Sequence, residues 1–232
     1  MHDDLEKKDL RRLLARFRRR DRYRLSWPTR ITLMRILMIV PFVGCMLNTH
    51  DPRLSEFTQT LLRYVALGIF LFMAASDALD GYLARRRGQV TQLGTFLDPL
   101  ADKLLITSAS LLLVSSRAHV QGFPLPLMVV VLIIGKDILI VIGFIVVYLI
   151  TSHIHIVPVW AGKLATALQL AMVACVLVAP ELAGAVPGYR WFLRALWWSA
   201  GGTAVLASLI YIRNGTRYVE QFERAQSSDS GG

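Results

Sequence analysis

The stretch DALDGYLARRRGQVTQLGTFLDPLADK, residues 77–103, decides how the rest of the chain is read. It carries four carboxylates, Asp77, Asp80, Asp98 and Asp102. The first pair ends one long apolar run and the second pair opens another. Asp77 and Asp80 stand three residues apart, and Asp98 and Asp102 four apart, so on helices each pair shares one face. Helices of this apolar content belong in a membrane. There an ionised side chain costs about 2.5–3.5 kcal/mol on an insertion scale, so acids kept in such a place need partners or a function.

The composition outside this stretch agrees with a membrane setting. Of 232 residues, 54% are hydrophobic and only 18% charged, against the roughly 25% charged that a soluble domain carries. That excludes global disorder, which needs few apolar groups. It also speaks against a soluble nucleic-acid binder despite a net charge of +10, and no nucleic-acid partner is expected. Cys45 and Cys175 both lie inside apolar runs and suggest neither a disulfide framework nor a zinc site. Runs of about 20 apolar residues mark six spans, at 31–48, 61–84, 95–116, 125–150, 160–180 and 191–212. They are too long for barrel strands. The fold expected is all-α and integral to the membrane, with six transmembrane helices and a basic juxtamembrane helix before them. Residues 1–26 form the basic cytoplasmic segment, 27–217 the membrane domain and 218–232 a cytoplasmic tail. That tail is Ser/Gly-rich from Gln226 and expected to be irregular at its end.

Orientation follows from the Lys and Arg residues. The segment before the first span is crowded with them, Arg85, Arg86 and Arg87 fill the second turn, and Arg213, Arg217 and Arg224 follow the last span. With six spans, all three groups fall on one side, leaving mainly Arg53, Arg117, Arg190 and Arg194 opposite. The positive-inside rule then puts both termini, and the acidic stretch, at the cytoplasmic face of a bacterial-type inner or plasma membrane. Leu10, Leu13, Leu14 and Phe17 recur at helical spacing among arginines, which suits a helix lying on an anionic leaflet. A secretory signal peptide is not expected, because Arg35 and Pro41 interrupt the apolar run that follows the basic segment.

A short turn between the second and third spans makes them antiparallel neighbours, so the two acidic pairs are expected to face each other. Four carboxylates in one pocket repel unless protonated or bridged. Arg85 and Lys103 cannot neutralise all four. Hard divalent cations take oxygen ligands, and two of them, Mg²⁺ or Mn²⁺, would balance the formal charge. Such ions held between carboxylates and substrate phosphates are a usual arrangement for phosphoryl chemistry. Gly81, Ala84 and Gly94 flank the acids; glycine within a helix costs roughly 1 kcal/mol relative to alanine and points to a close approach there.

The pattern Asp-x2-Asp-Gly-x2-Ala-Arg-x8-Gly-x3-Asp-x3-Asp, complete from Asp77 to Asp102, resembles the signature of the CDP-alcohol phosphatidyltransferases. The likeness extends from about Trp27 to Arg217. It implies a homodimeric membrane enzyme that moves a phosphatidyl group from CDP-diacylglycerol to an alcohol and releases CMP. It also implies that Asp77, Asp80, Asp98 and Asp102 bind two divalent ions, that Asp102 is in addition the general base, and that Gly81, Arg85 and Thr91 contact the CDP part. Near the start, Pro28-Thr29-Arg30-Ile31-Thr32-Leu33-Met34-Arg35 is similar to the family's Pro-Asn-x-x-Thr-x-x-Arg element. Thr32 and Arg35 match it as CDP-diacylglycerol contacts, whereas Thr29 departs from the usual Asn.

For the acceptor, Lys136 within the fourth span and Lys163 at the start of the fifth are candidates, since lysines facing a polar pocket suit a phosphate-bearing alcohol. Lys136 pairing with Asp137 is the plainer alternative. Within the family, the Phe96–Lys103 and Gly162-Lys163-x-x-Thr166 segments look most like phosphatidylglycerophosphate synthases, which use glycerol-3-phosphate, and the related single-site cardiolipin synthases. Gly135-Lys136-Asp137 departs from the Gly-Arg-Glu common in the first group. It is closer to cardiolipin synthases, which use phosphatidylglycerol. Two further alternatives are an aromatic prenyltransferase, which normally has its Asp motifs further apart and more than six helices, and an ion or proton transporter using Asp77, Asp80, Asp98 and Lys136 as a relay.

Overall fold

In the computed structural model, the structure describes residues 27–87, 92–151 and 160–229, and along 78–99 it describes the course of the helices alone. Among the described residues seven helices follow one another: α1 Trp27–Leu47, α2 Glu56–Arg87, α3 Gln92–Val114, α4 Leu127–Thr151, α5 Trp160–Leu177, the short α6 Ala179–Ala185, and α7 Tyr189–Asp229. No strand occurs among the described residues. Five of the helices are long and apolar enough to cross a membrane: α1, α2, α4, α5 and α7. The third expected span coincides with α3, a 23-residue helix whose first eight side chains fall within 92–99. The all-α membrane architecture expected from the sequence is therefore present.

The boundaries differ where local chemistry outweighs hydropathy. Helix α2 begins at Glu56, five residues before the apolar run, because Ser55 caps it: its Oγ accepts the backbone N–H of Thr58 at 3.2 Å. The expected turn at 180–189 contains the seven-residue helix α6, with Pro180 in its first turn, where a missing N–H costs nothing. Helix α7 runs on to Asp229, so the tail is helical well past the expected end of the span at 212. Pro41 sits inside α1, which continues to Leu47.

Heptad-like stripes decide which helices meet. On α1, Thr32, Arg35, Phe42 and Met46 are buried. On α7, Leu193, Trp197, Ala200, Ala204 and Ala207 are buried at alternating spacings of four and three. A stripe with this period stays on one side of a helix along its length. Helix α1 packs against both α2 and α3, and α7 against both α4 and α5. Among the described residues α2 and α3 run close together over only a short stretch, and α4 and α5 meet through side chains alone. The expected neighbours α2 and α3 are thus largely separated by α1, as α4 and α5 are by α7, and contacts of α2 with α5 and of α3 with α4 and α5 join the halves. Alanines along α7 permit this close approach, which matters in lipid, where dispersion and packing replace the hydrophobic effect between helices.

The connections 48–55, 115–126 and 178–188 meet at one end of the bundle. A cavity of about 420 Å³ lies there, between Met46, Thr49, His50, Arg63, His119 and Glu181 among others. The rings of His50 and His119 stack at 4.9 Å, and Arg63 forms an ion pair with Glu181. Thr49 Oγ1 donates to the Met46 carbonyl at 2.7 Å, so His50 Nδ1 must be the donor in its 3.2 Å contact with that hydroxyl. The N–H of His50 is thereby fixed on Nδ1, and its buried Nε2 carries a lone pair without a hydrogen-bond partner among the described residues.

Candidate active site

The buried stripes of α2 to α5, followed toward the other end of the bundle, run from apolar into polar or charged residues. On α2 the sequence of buried positions Ala66, Phe70 and Met73 continues at the same spacing to Asp77. On α3, Ala109 and Ile106 lead back to Asp102. On α4, Val129 and Ile133 lead to Lys136 and Asp137, and on α5, Met172 precedes Gln169 in reverse order; all of these are buried. The helical repeat that builds the core therefore also aims these polar groups inward. The 22-residue apolar stretch Glu56–Asp77 ends at Asp77, which places the acid where the apolar part of α2 gives out.

Arg35, only 3% exposed, donates from Nη1 to Asp77 Oδ1 at 2.5 Å, linking α1 to α2. Lys103 Nζ donates to Asp137 Oδ1 at 2.5 Å, linking α3 to α4. Lys136 Nζ lies 3.2 Å from the same oxygen and 3.5 Å from Gln169 Oε1, reaching α5. Asp102 interacts electrostatically with Asp77, Lys103, Asp137 and Arg35. Five helices thus contribute to one charged group. Among described side chains its three cations (Arg35, Lys103, Lys136) match its three acids (Asp77, Asp102, Asp137). Arg35 is a counter-charge that the sequence count around the acidic stretch did not contain, because it comes from 42 residues upstream.

Of the residues singled out from sequence, the structure brings together Asp77, Asp102, Arg35 and Lys136. Thr32 lies on the same buried stripe of α1 as Arg35. Lys163 is exposed near the start of α5; next to it Gly162 packs so closely that a Cβ would come 3.0 Å from Tyr211 Oη of α7. The side chains of Asp80, Gly81, Arg85 and Asp98, and Thr91 altogether, lie outside the described residues. Gln169 was not assigned a role from sequence, although an amide inside an apolar helix is itself a signal. Asp137 was seen only as a partner for Lys136, and its link to Lys103 needed the three-dimensional fold.

Among the described residues no set of three or more His, Cys, Asp or Glu side chains forms a metal-binding group. Asp77 and Asp102 nevertheless offer hard oxygen donors from two helices within electrostatic reach of each other. That donor chemistry fits a hard divalent ion and not a soft one.

Residues 25–207 match the family model described as CDP-alcohol phosphatidyltransferase. The chain is 33% identical over 191 residues to a CDP-diacylglycerol–glycerol-3-phosphate 3-phosphatidyltransferase of Pseudomonas fluorescens, covering 80% of this chain and 88% of that one. It is 32% identical over 175 residues to the protein so named in Blochmanniella floridana, covering 73% and 85%. A shorter likeness of 44% over 90 residues, 38% of this chain and 47% of the other, relates it to the one in Bacillus subtilis. Neither the prenyltransferase nor the transporter alternative draws support from these matches.

Proposed function

The chain belongs to the CDP-alcohol phosphatidyltransferase family, and from that premise we propose that it transfers a phosphatidyl group from CDP-diacylglycerol to glycerol-3-phosphate, releasing CMP. The observation that carries the acceptor is the activity named for relatives aligned over more than four-fifths of their length. Asp77, Asp80, Asp98 and Asp102 are the proposed ligands of two divalent ions, Mg²⁺ or Mn²⁺. Such ions, when bound, polarise the phosphate under attack and offset charge on the departing CMP.

The remaining work falls to the chain's own groups. Asp102 accepts the proton of the acceptor hydroxyl, whose pKa is too high for attack without a base. Arg35 holds Asp77 in orientation through its short contact. Thr32, Arg35, Gly81, Arg85 and Thr91 are the proposed contacts of CDP-diacylglycerol, since a guanidinium gives two-pronged contacts to phosphate. Lys136 and Lys163 are the proposed contacts of the acceptor phosphate. The apolar helix walls keep out water, which would otherwise compete as acceptor. Residues 27–217 form the membrane domain of a homodimer, with both termini and the site at the cytoplasmic face; the basic ends of α2 and α7 support that orientation.

Gly135-Lys136-Asp137 favours a second reading, in which phosphatidylglycerol is the acceptor and cardiolipin the product. The test is an acceptor panel. Purified protein with CDP-diacylglycerol and Mg²⁺ or Mn²⁺ is offered glycerol-3-phosphate, phosphatidylglycerol, an inositol phosphate and serine in turn. Phosphatidylglycerophosphate as the lipid product is the expected result. Cardiolipin formation, with glycerol-3-phosphate unused, would replace the first reading by the second.

A further inference from the structure

We propose that Asp137 is a positioning residue for the transfer, holding Lys103 and Lys136 in register beside Asp102; this rests on the reading that an anionic acceptor is bound near Lys136. Asp137 is 8% exposed and lies in the most apolar of the candidate spans, where an acid is costly to keep. Its Oδ1 accepts from Lys103 at 2.5 Å and lies 3.2 Å from the Lys136 ammonium. Lys136 continues to Gln169 Oε1 at 3.5 Å. One carboxylate oxygen therefore ties α3, α4 and α5 at a single level, adjoining the proposed base.

Two ammonium groups sharing one acid at this range repel each other once the acid is neutral, and a low dielectric magnifies the repulsion. Lysine stems are long and flexible, so the ammonium groups would re-aim while the helices stay. The helices have independent support, because α4 packs extensively on α7 and only slightly on α3. The clamp is thus poorly placed to hold the bundle together and well placed to aim charge. Asp137 acts through the two lysines and is not itself a catalytic residue.

The test is steady-state kinetics on purified full-length protein, varying CDP-diacylglycerol and the acceptor separately. The acceptor is whichever of glycerol-3-phosphate and phosphatidylglycerol the unmodified protein uses. Asp137→Asn should raise the acceptor KM about tenfold or more, the usual consequence of unpairing a buried charged group. The KM for CDP-diacylglycerol should stay within about twofold, as for a site acting independently. Asp137→Glu restores the charge and should recover most of the acceptor affinity. Gln169→Leu removes only the far end of the clamp and should raise the acceptor KM by a smaller factor. It also keeps the inference testable if Asp137→Asn does not accumulate. An unchanged acceptor KM in both Asp137→Asn and Gln169→Leu, with only the amount of active protein reduced, would make the clamp purely structural and overturn the inference. If the unmodified protein uses neither acceptor, the underlying reading fails first, a result distinct from unaltered KM in the variants.

Discussion

At the scale of single residues, the proposed transfer depends on Asp102. It lies on the inward face of α3, among the charges of Asp77, Asp137, Lys103 and Arg35. Asn is close to isosteric with Asp but cannot take the acceptor's proton. Asp102→Asn should lower transfer by about 10²–10⁴-fold, the range general-base removal covers, while the protein still inserts and migrates as the unmodified one does. Product formation by purified Asp102→Asn at more than a tenth of the normal rate would remove Asp102 from the role of base. Arg35 shows what one sequence position reveals and what it withholds. An arginine one turn inside an apolar span announced an unusual environment, but its partner Asp77 lies on another helix, and no local pattern encodes a contact across 42 residues.

At the scale of elements, hydrophobic run length located the helices, because each long apolar run must close its backbone hydrogen bonds internally in lipid. The acidic motif was legible for the same reason, since its residue types and spacings are local. Packing was less legible. The short 88–91 connection suggested that α2 and α3 lie side by side, yet the stripe on α1 inserts between them. Only the buried pattern Thr32, Arg35, Phe42 and Met46 hinted at a helix with two neighbours. The loop chemistry at the opposite end was not read at all: His50 and His119 are 69 positions apart in sequence yet stacked. Burial, and the neighbouring His119 after it, lower the His50 pKa. The folded state therefore binds this proton more weakly than the unfolded chain, whose histidines titrate near about 6.5. The contribution of neutral His50 is present above that pH and is lost as pH falls through it toward the lower folded value. Thermal unfolding in detergent should show a larger fall in Tm between pH 8 and pH 5 for the unmodified protein than for His50→Asn. Equal falls would mean that the stack does not sense pH.

At the scale of the whole molecule, two three-helix groups carry a charged site between them and a polar cavity at the far end. The proposed cytoplasmic placement of the site end rests on the arginines at the ends of α2 and α7. Single cysteines introduced at Arg53 and Arg117, in a variant lacking Cys45 and Cys175, should react with an impermeant maleimide on intact cells. A cysteine at Arg217 should react only after the cells are opened. The reverse pattern would turn the site to the outer face, away from cytoplasmic nucleotide. The claim on which all three scales converge is that acids from α2 and α3 act through bound divalent ions. The direct measurement is CMP release from CDP-diacylglycerol by purified protein stripped of metal with a chelator, then supplied with Mg²⁺, Mn²⁺ or neither. Release should vanish without metal and return on adding Mg²⁺ or Mn²⁺, in step with lipid product. Undiminished, acceptor-dependent release from the stripped protein would contradict the assignment of these carboxylates as metal ligands.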